Sequence, residues 1–230
     1  VPAANETELL TFNNWTLRVR ASQSASPRLL VLIHGWTGDE NSMWVFTRNL
    51  STDYWMMAPR APHAGDPSGF SWRPPEMQTL RHSFASQGGA FGRPGFESLE
   101  PAAGELMRLI DEYSASVKLD AKSFDLMGFS QGAAMVNVIG MLHPQRVRKM
   151  AVLAGFVPSD MEAIVQQKPL AGKNIFMAHG TQDQMVPVER ARASVEMLEK
   201  AGAQVTYCED EVGHKLGATC MRALENYLKD

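Results

Sequence analysis

Cysteine is scarce in this chain: two among 230 residues, Cys208 and Cys220. A pair at that spacing is not a zinc pattern. It reads as two ordinary thiols in a reducing compartment, so a cytoplasmic protein is expected. Charge of one sign is also scarce. The net charge is −3, the isoelectric point is near 6.1, and no Lys/Arg-rich run would track phosphates, which excludes the usual nucleic-acid binder. No apolar run reaches the roughly 18 residues of a membrane span. The opening "VPAANETELL" shows no basic region followed by an apolar one, so no signal peptide is expected. Three sequons, at Asn5, Asn14 and Asn49, read as chance spelling. No repeat of 20–50 residues is visible.

What is present is apolar material: 44% of the chain is hydrophobic, enough for a large core without disulfides or metal. Short apolar runs alternate with longer amphipathic ones. "NNWTLRVRAS" alternates like an edge strand, and "RLLVLIHG" (28–35) and "YWMMAP" (54–59) read as buried strands. Residues 41–50 suit a short helix. Helical spacing recurs over 99–117, 130–142, 187–201 and 217–229, with strands at "SFDLMG", 149–155, 174–180 and "QVTYCED". Alternating β and α predicts one α/β domain over 1–230, with a mainly parallel sheet flanked by helices on both faces. Residues 60–98 break the pattern. They are rich in Pro and Gly but contain Phe70, Trp72, Phe84, Phe91 and Phe96, which predicts a packed irregular cover.

The chemistry lies in the turns. In "GFSQG" (128–132) a strand must reverse into a helix at Ser130, and the glycines on either side make room. A serine hydroxyl is a poor nucleophile without a base, and the base needs an orienting acid. On such a sheet the order is Ser, then Asp or Glu, then His. Asp183 in "HGTQDQMVP" and His214 in "EVGHKLG" each follow a strand and supply that order. The backbone N–H groups of Gln131 and of Trp36, in "HGWTGDE", are the candidate oxyanion donors. Trp36, Phe70, Trp72, Met77 and Met185 are candidate pocket walls. The other histidines read as structural or loop residues: His179 and His34 at strand ends, His63 and His82 in the cover, His143 before a proline. Asp160 is an alternative acid, but "SDMEAI" reads as an N-cap opening a helix. Residues 209–211 read as a solvated acidic loop.

Together "LIHGWTGDENS", "APRAP", "GFSQGA", "HGTQDQMVP" and "GHKLG" resemble the phospholipase/carboxylesterase family of α/β-hydrolases, which includes bacterial carboxylesterases and acyl-protein thioesterases. The resemblance spans about residues 28 to 228. It implies an α/β-hydrolase fold, a serine esterase with Ser130, Asp183 and His214 as triad, oxyanion donors at Trp36 and Gln131, and no metal or organic cofactor. The expected partner is a small-molecule ester of short to medium chain. Thioesters and lysophospholipids are the alternatives on the same triad, and a non-catalytic binding module is a remote one. A homodimer is not derivable from the string. Relatives commonly carry Leu at the position of Trp36, an acidic residue at Thr181, and Asp-Pro where Asp183-Gln184 stands. A bulkier Trp36 is expected to shorten or redirect the acyl channel.

Overall fold

The structure, a computed structural model, describes residues 6–78 and 95–229. The part of the expected cover at 79–94, with His82, Phe84 and Phe91, lies outside the described residues. The chain opens with a hairpin, β1 (Glu8–Phe12) and β2 (Trp15–Arg20). Asn13 and Asn14 join them, both with positive φ (46° and 68°), the left-handed pair that a two-residue turn between twisted strands requires. The edge strand is therefore β1 and not the "NNWTLRVRAS" segment. β1 has no fully buried residue, which is why its hydrophobic pattern is weak in the sequence.

The hairpin is followed by β3 (Arg28–Ile33), a 3₁₀ turn over Ser42–Phe46, β4 (Tyr54–Pro59), the two-residue strands β5 (His63–Ala64) and β6 (Phe70–Ser71), and α1 (Pro75–Gln78). The second half alternates: α2 (Glu100–Ser116), β7 (Phe124–Phe129), α3 (Gln131–Leu142), β8 (Val147–Leu153), α4 (Glu162–Val165), β9 (Asn174–Gly180), α5 (Val188–Lys200), β10 (Gln204–Asp210) and α6 (Ala218–Lys229). Among the described residues, eight strands form one sheet in the order β1-β2-β4-β3-β7-β8-β9-β10. β1–β2 and β2–β4 are antiparallel, and every pairing from β4 to β10 is parallel. The α/β-hydrolase architecture expected from the sequence is the one observed.

Both faces of the sheet are buried. On β3, Leu29, Val31 and Ile33 face a cluster that includes Leu106 and Ile110 of α2, Val136 of α3 and Leu198 of α5. Leu30 and Leu32 face a second cluster with Met43, Phe46, and Leu224 and Leu228 of α6. Burying a Leu or Ile side chain stabilises by about 1.5–3 kcal/mol, which explains why "RLLVLI" has no polar alternation. Asp125, at the amino end of β7, is fully buried. Arg148 binds it, and the Tyr54 hydroxyl lies 2.8 Å away. It lies at the sheet edge opposite the turns that carry the candidate site.

Register lines up that carboxyl edge. Ile33 pairs with Gly128, Phe129 with Leu153, and Gly180 with Asp210. The segments carrying Trp36, Ser130, Asp183 and His214 all leave the sheet on this side.

Two expectations are corrected. Cys208 in β10 and Cys220 in α6 are not free thiols: they form a disulfide, with Cα atoms 5.6 Å apart. β10 and α6 pack against one another, which brings together two positions that spacing alone could not pair. The cytoplasmic expectation rested on free thiols and loses that support, since disulfides persist mainly in oxidising compartments. Asp160 is not a helix cap. Met161 occupies the N-cap of α4, while Asp160 has φ 67° and its carboxylate accepts the Ser159 hydroxyl at 3.0 Å. Among the described residues, no helix is long and apolar enough to cross a membrane.

Candidate active site

Ser130 sits between β7 and α3 with φ 54° and ψ −114°, a conformation a non-glycine residue adopts only when its surroundings impose it. Those surroundings are its glycines. A Cβ on Gly128 would stand 2.2 Å from the Gly132 carbonyl oxygen, and one on Gly132 would stand 2.0 Å from the Ile33 carbonyl oxygen. Both positions must lack a side chain for α3 to start this close to β3. The Ser130 N–H donates to the Leu153 carbonyl, and its carbonyl accepts the N–H groups of Ala133 and Ala134. The backbone is thus fixed by the neighbouring strand and by the first turn of α3. Gln131 is the first residue of that helix, where backbone N–H groups favour negative charge.

The loop after β3 comes close to the serine: a Cβ on Gly35 would be 3.3 Å from Ser130 Cβ. β6 clamps this loop, with Thr37 N–H on the Phe70 carbonyl at 3.0 Å and Phe70 N–H on the Gly38 carbonyl at 2.9 Å. His34 underpins it. Its Nε2 accepts the Ala61 N–H at 3.0 Å and its Nδ1 lies 2.7 Å from the Gly35 carbonyl, which fixes the neutral tautomer with the proton on Nδ1. Burial, the largest influence, holds His34 below the ordinary imidazole range. The Gly35 carbonyl, Asp39 and Glu40 oppose that shift. The Gln131 side chain joins the serine turn to the same region by accepting the Trp72 N–H at 2.9 Å.

The acid and the base arrive on two loops tied to each other. Thr181 N–H donates to Asp210, and Gln182 N–H to Val212. A Cβ on Gly180 would collide with the Val212 and Gly213 carbonyls, so the two loops approach backbone to backbone. Asp183 Oδ1 accepts the N–H groups of Met185 (2.8 Å) and Val186 (2.9 Å), while Oδ2 lies 2.6 Å from His214 Nδ1. Burial alone would push the Asp183 carboxyl up. Hydrogen bonds from His179, His214 and the Val186 N–H outweigh it and hold the group well below the usual carboxylate range. Anionic Asp183 takes the proton side of the imidazole, which leaves Nε2 with the lone pair. The Phe129 ring, next to Ser130, packs 4.9 Å from the His214 ring.

Ser130, Gln131, His214, Trp36 and Met185 all line one cavity of about 490 Å³, within the usual range for small-molecule sites. Phe70, Trp72 and Met77 are not in its lining. Trp72 is fully buried in the main core, with its indole N–H on the His34 carbonyl. Phe70 packs under the Arg60 guanidinium, and the Met77 carbonyl accepts Arg73. Sequence reasoning missed several walls: Val45 and Phe46 from the 3₁₀ turn, Phe129, Phe156, Arg73 and Arg190. It also missed that His179 reaches Asp183, with Nε2 3.3 Å from Oδ2 and 2.8 Å from the Val186 carbonyl. The spacing of four between His179 and Asp183 was visible, but only the turn brings them together. Among the described residues, no group of three or more His, Cys, Asp or Glu side chains could hold a metal ion.

A mainly parallel sheet with a strained serine turn, a carboxylate-bound imidazole and a shared cavity defines an α/β-hydrolase. Residues 96–230 match the family described as Phospholipase/Carboxylesterase, and the chain belongs to that family. Carboxylesterase SOBER1 of Arabidopsis thaliana is 31% identical over 107 residues, 45% of this chain and 46% of that protein. A probable inactive carboxylesterase of Oryza sativa subsp. japonica is 28% identical over 93 residues, 40% of this chain and 38% of that protein. The chain thus matches about half or less of the length of these curated relatives. A crystal structure of a carboxylesterase from Mesorhizobium loti superposes with a TM-score of 0.76 at 22% identity, covering 97% of this chain and 98% of the other.

Proposed function

We propose that the protein is a serine carboxylesterase that hydrolyses short- to medium-chain esters through an acyl-enzyme. The observation that carries this reading is the 2.6 Å contact of His214 Nδ1 with Asp183 Oδ2, with His214 lining the same cavity as the strained Ser130. His214 Nε2 takes the hydroxyl proton as Ser130 Oγ attacks the ester carbonyl. Asp183 orients the imidazole and stabilises its cationic form. The backbone N–H groups of Gln131 and Trp36 receive the developing oxyanion, each such donor being worth about 3–4 kcal/mol in the transition state. His214 then protonates the leaving alcohol and afterwards activates the water that releases the acid.

Trp36 lines the cavity, which supports its proposed part in limiting acyl length. The filled triad positions favour this reading over a binding module. The test is turnover of p-nitrophenyl butyrate by the wild-type protein and by Ser130→Ala. The variant is expected to fold and to lose turnover. Wild-type-like turnover in a folded variant would overturn the reading.

A further inference from the structure

The stretch "APRAP" (58–62) has no part in the chemistry proposed above, and neither has the Asp-Glu pair that ends "HGWTGDE" (34–40). The fold joins them. Glu40 is buried, its side chain 2% exposed, and Arg60 grips it with two hydrogen bonds: Nε to Oε2 at 2.7 Å and Nη2 to Oε1 at 3.0 Å. A buried carboxylate persists only when it is paired, and a two-pronged guanidinium is the geometry that fixes it in direction as well as charge. The hydrogen bonds from Arg60, the largest influence, hold the Glu40 carboxyl below the ordinary carboxylate range. Asn41 Nδ2 also reaches Oε1, at 3.1 Å, but from the adjacent position. Arg60 comes from the end of β4, and its own N–H is anchored on the Thr16 carbonyl at 2.9 Å.

Residues 34–40 form the loop that carries Trp36, and Arg60 and Ala61 hold both of its ends. At the first end, the Ala61 N–H donates to His34 Nε2 at 3.0 Å. At the last, Arg60 binds Glu40. Between them, the Arg60 guanidinium carbon lies 4.6 Å from the centroid of the Phe70 ring, and Phe70 exchanges backbone hydrogen bonds with Thr37 and Gly38. Inside this frame Thr37 has φ 65°. A β-branched residue keeps that left-handed conformation only where its surroundings over-determine it. The loop beside Trp36 is therefore held by outside contacts and not by its own preference. Neither Arg60 nor Glu40 lines the cavity, so their influence on the chemistry passes through the loop.

Resting on the esterase reading above, we infer that Arg60 and Glu40 are positioning residues: their ion pair locks residues 34–40 so that the Trp36 N–H is aimed at the oxyanion before substrate arrives. A donor stabilises the transition state only when it already points to where charge develops. Removing such a donor outright costs about 10²–10³-fold in kcat in another hydrolase, and letting it wander costs less, about tenfold.

The test measures p-nitrophenyl butyrate kinetics, and inhibition by butylboronic acid, which forms a tetrahedral adduct on a serine oxygen and so mimics the transition state. The variants are Glu40→Gln, Arg60→Met and the two combined, with circular dichroism to establish folding. Each single variant should lower kcat about tenfold, leave KM within about twofold, and weaken the boronate about as much as kcat falls. The double variant should also lose about tenfold, because the two residues act as one unit. Glu40→Gln leaves no carboxylate buried without its partner, and the half-exposed Arg60 meets water, so this variant carries the test if Arg60→Met does not fold. Ser130-dependent turnover with unchanged kcat and boronate inhibition in folded variants would overturn the inference and leave the esterase reading intact. So would a rise in KM alone, or a double variant whose loss is the product of the two single losses. If turnover by the wild-type protein does not depend on Ser130, the esterase reading falls and this inference falls with it.

Discussion

Cys208 and Cys220 are joined by a disulfide that brackets His214, the base of the proposed triad. The bond ties β10 to α6, and the loop between them carries the imidazole to the cavity. Asp210 reinforces the closure: its carboxylate accepts the Cys220 N–H at 2.9 Å. Reduction, or Cys208→Ser with Cys220→Ser, should lower unfolding stability by about 3 kcal/mol, the figure expected for a loop of this size. It should also reduce kcat about tenfold, because the loop gains freedom and His214 spends less time aligned. Urea unfolding and ester kinetics with and without reductant would measure both. Unchanged stability and kinetics after complete reduction would show that the bond does not position the loop.

His34 makes stability depend on pH. An unfolded imidazole takes up a proton near pH 6.5, whereas the folded one, held neutral by burial, does so only at lower pH. Between these two values the unfolded state binds more protons, so stability falls as pH falls through that window. Protonation would also remove the acceptor for the Ala61 N–H. Urea midpoints from pH 8 to pH 5 should decline below about pH 6.5, and His34→Gln should flatten the decline. The Asp183 carboxyl, depressed in the folded state, adds a loss of the same sign only below about pH 4, the range of an unperturbed aspartate.

His179 shares the Asp183 carboxylate with His214 and also reaches the Val186 carbonyl. In the proposed mechanism it acts only through the position of Asp183. His179→Phe should therefore lower kcat by about tenfold with little change in KM, whereas Asp183→Asn should cost about 10⁴-fold in kcat. A rise in KM with unchanged kcat in His179→Phe would place this histidine in substrate binding instead.

The glycines around Ser130 should separate from an ordinary helical glycine. Gly132→Ala would force a Cβ to within 2.0 Å of the Ile33 carbonyl oxygen, a backbone atom that cannot give way. A loss of at least about 3 kcal/mol is expected. Gly104 in α2 has nothing within 4 Å of an added Cβ, so Gly104→Ala should stabilise by about 0.5–1 kcal/mol. Thermal unfolding of the two variants makes the comparison directly.

The sheet and the long helices were legible because their apolar periods are driven by two-sided burial. "RLLVLI" and "SFDLMG" cannot be anything but interior, and α3 and α5 match their expected spans within a residue or two. That Ser130, Asp183 and His214 stand in turns beyond strand ends was legible, because such turns have their own residue requirements. β1 was not, since one face of "ELLTF" meets water and the remaining pattern is too short. Trp72 was read as a pocket wall because it lies in the irregular segment expected to pack as a cover over the site. Its position was set instead by the His34 carbonyl and the Gln131 side chain, 38 and 59 positions away. Arg73, Arg190 and the disulfide were hidden for the same reason: each depends on which distant segments the sheet order brings together.

The central claim is that Ser130 is a nucleophile activated by His214. Treatment of the folded protein with a fluorophosphonate, followed by peptide mass spectrometry, reads it directly. A single stoichiometric adduct on Ser130, lost in Ser130→Ala and strongly slowed in His214→Ala, is the expected result. A folded protein that stays unlabelled, or carries the adduct on another residue, would contradict it.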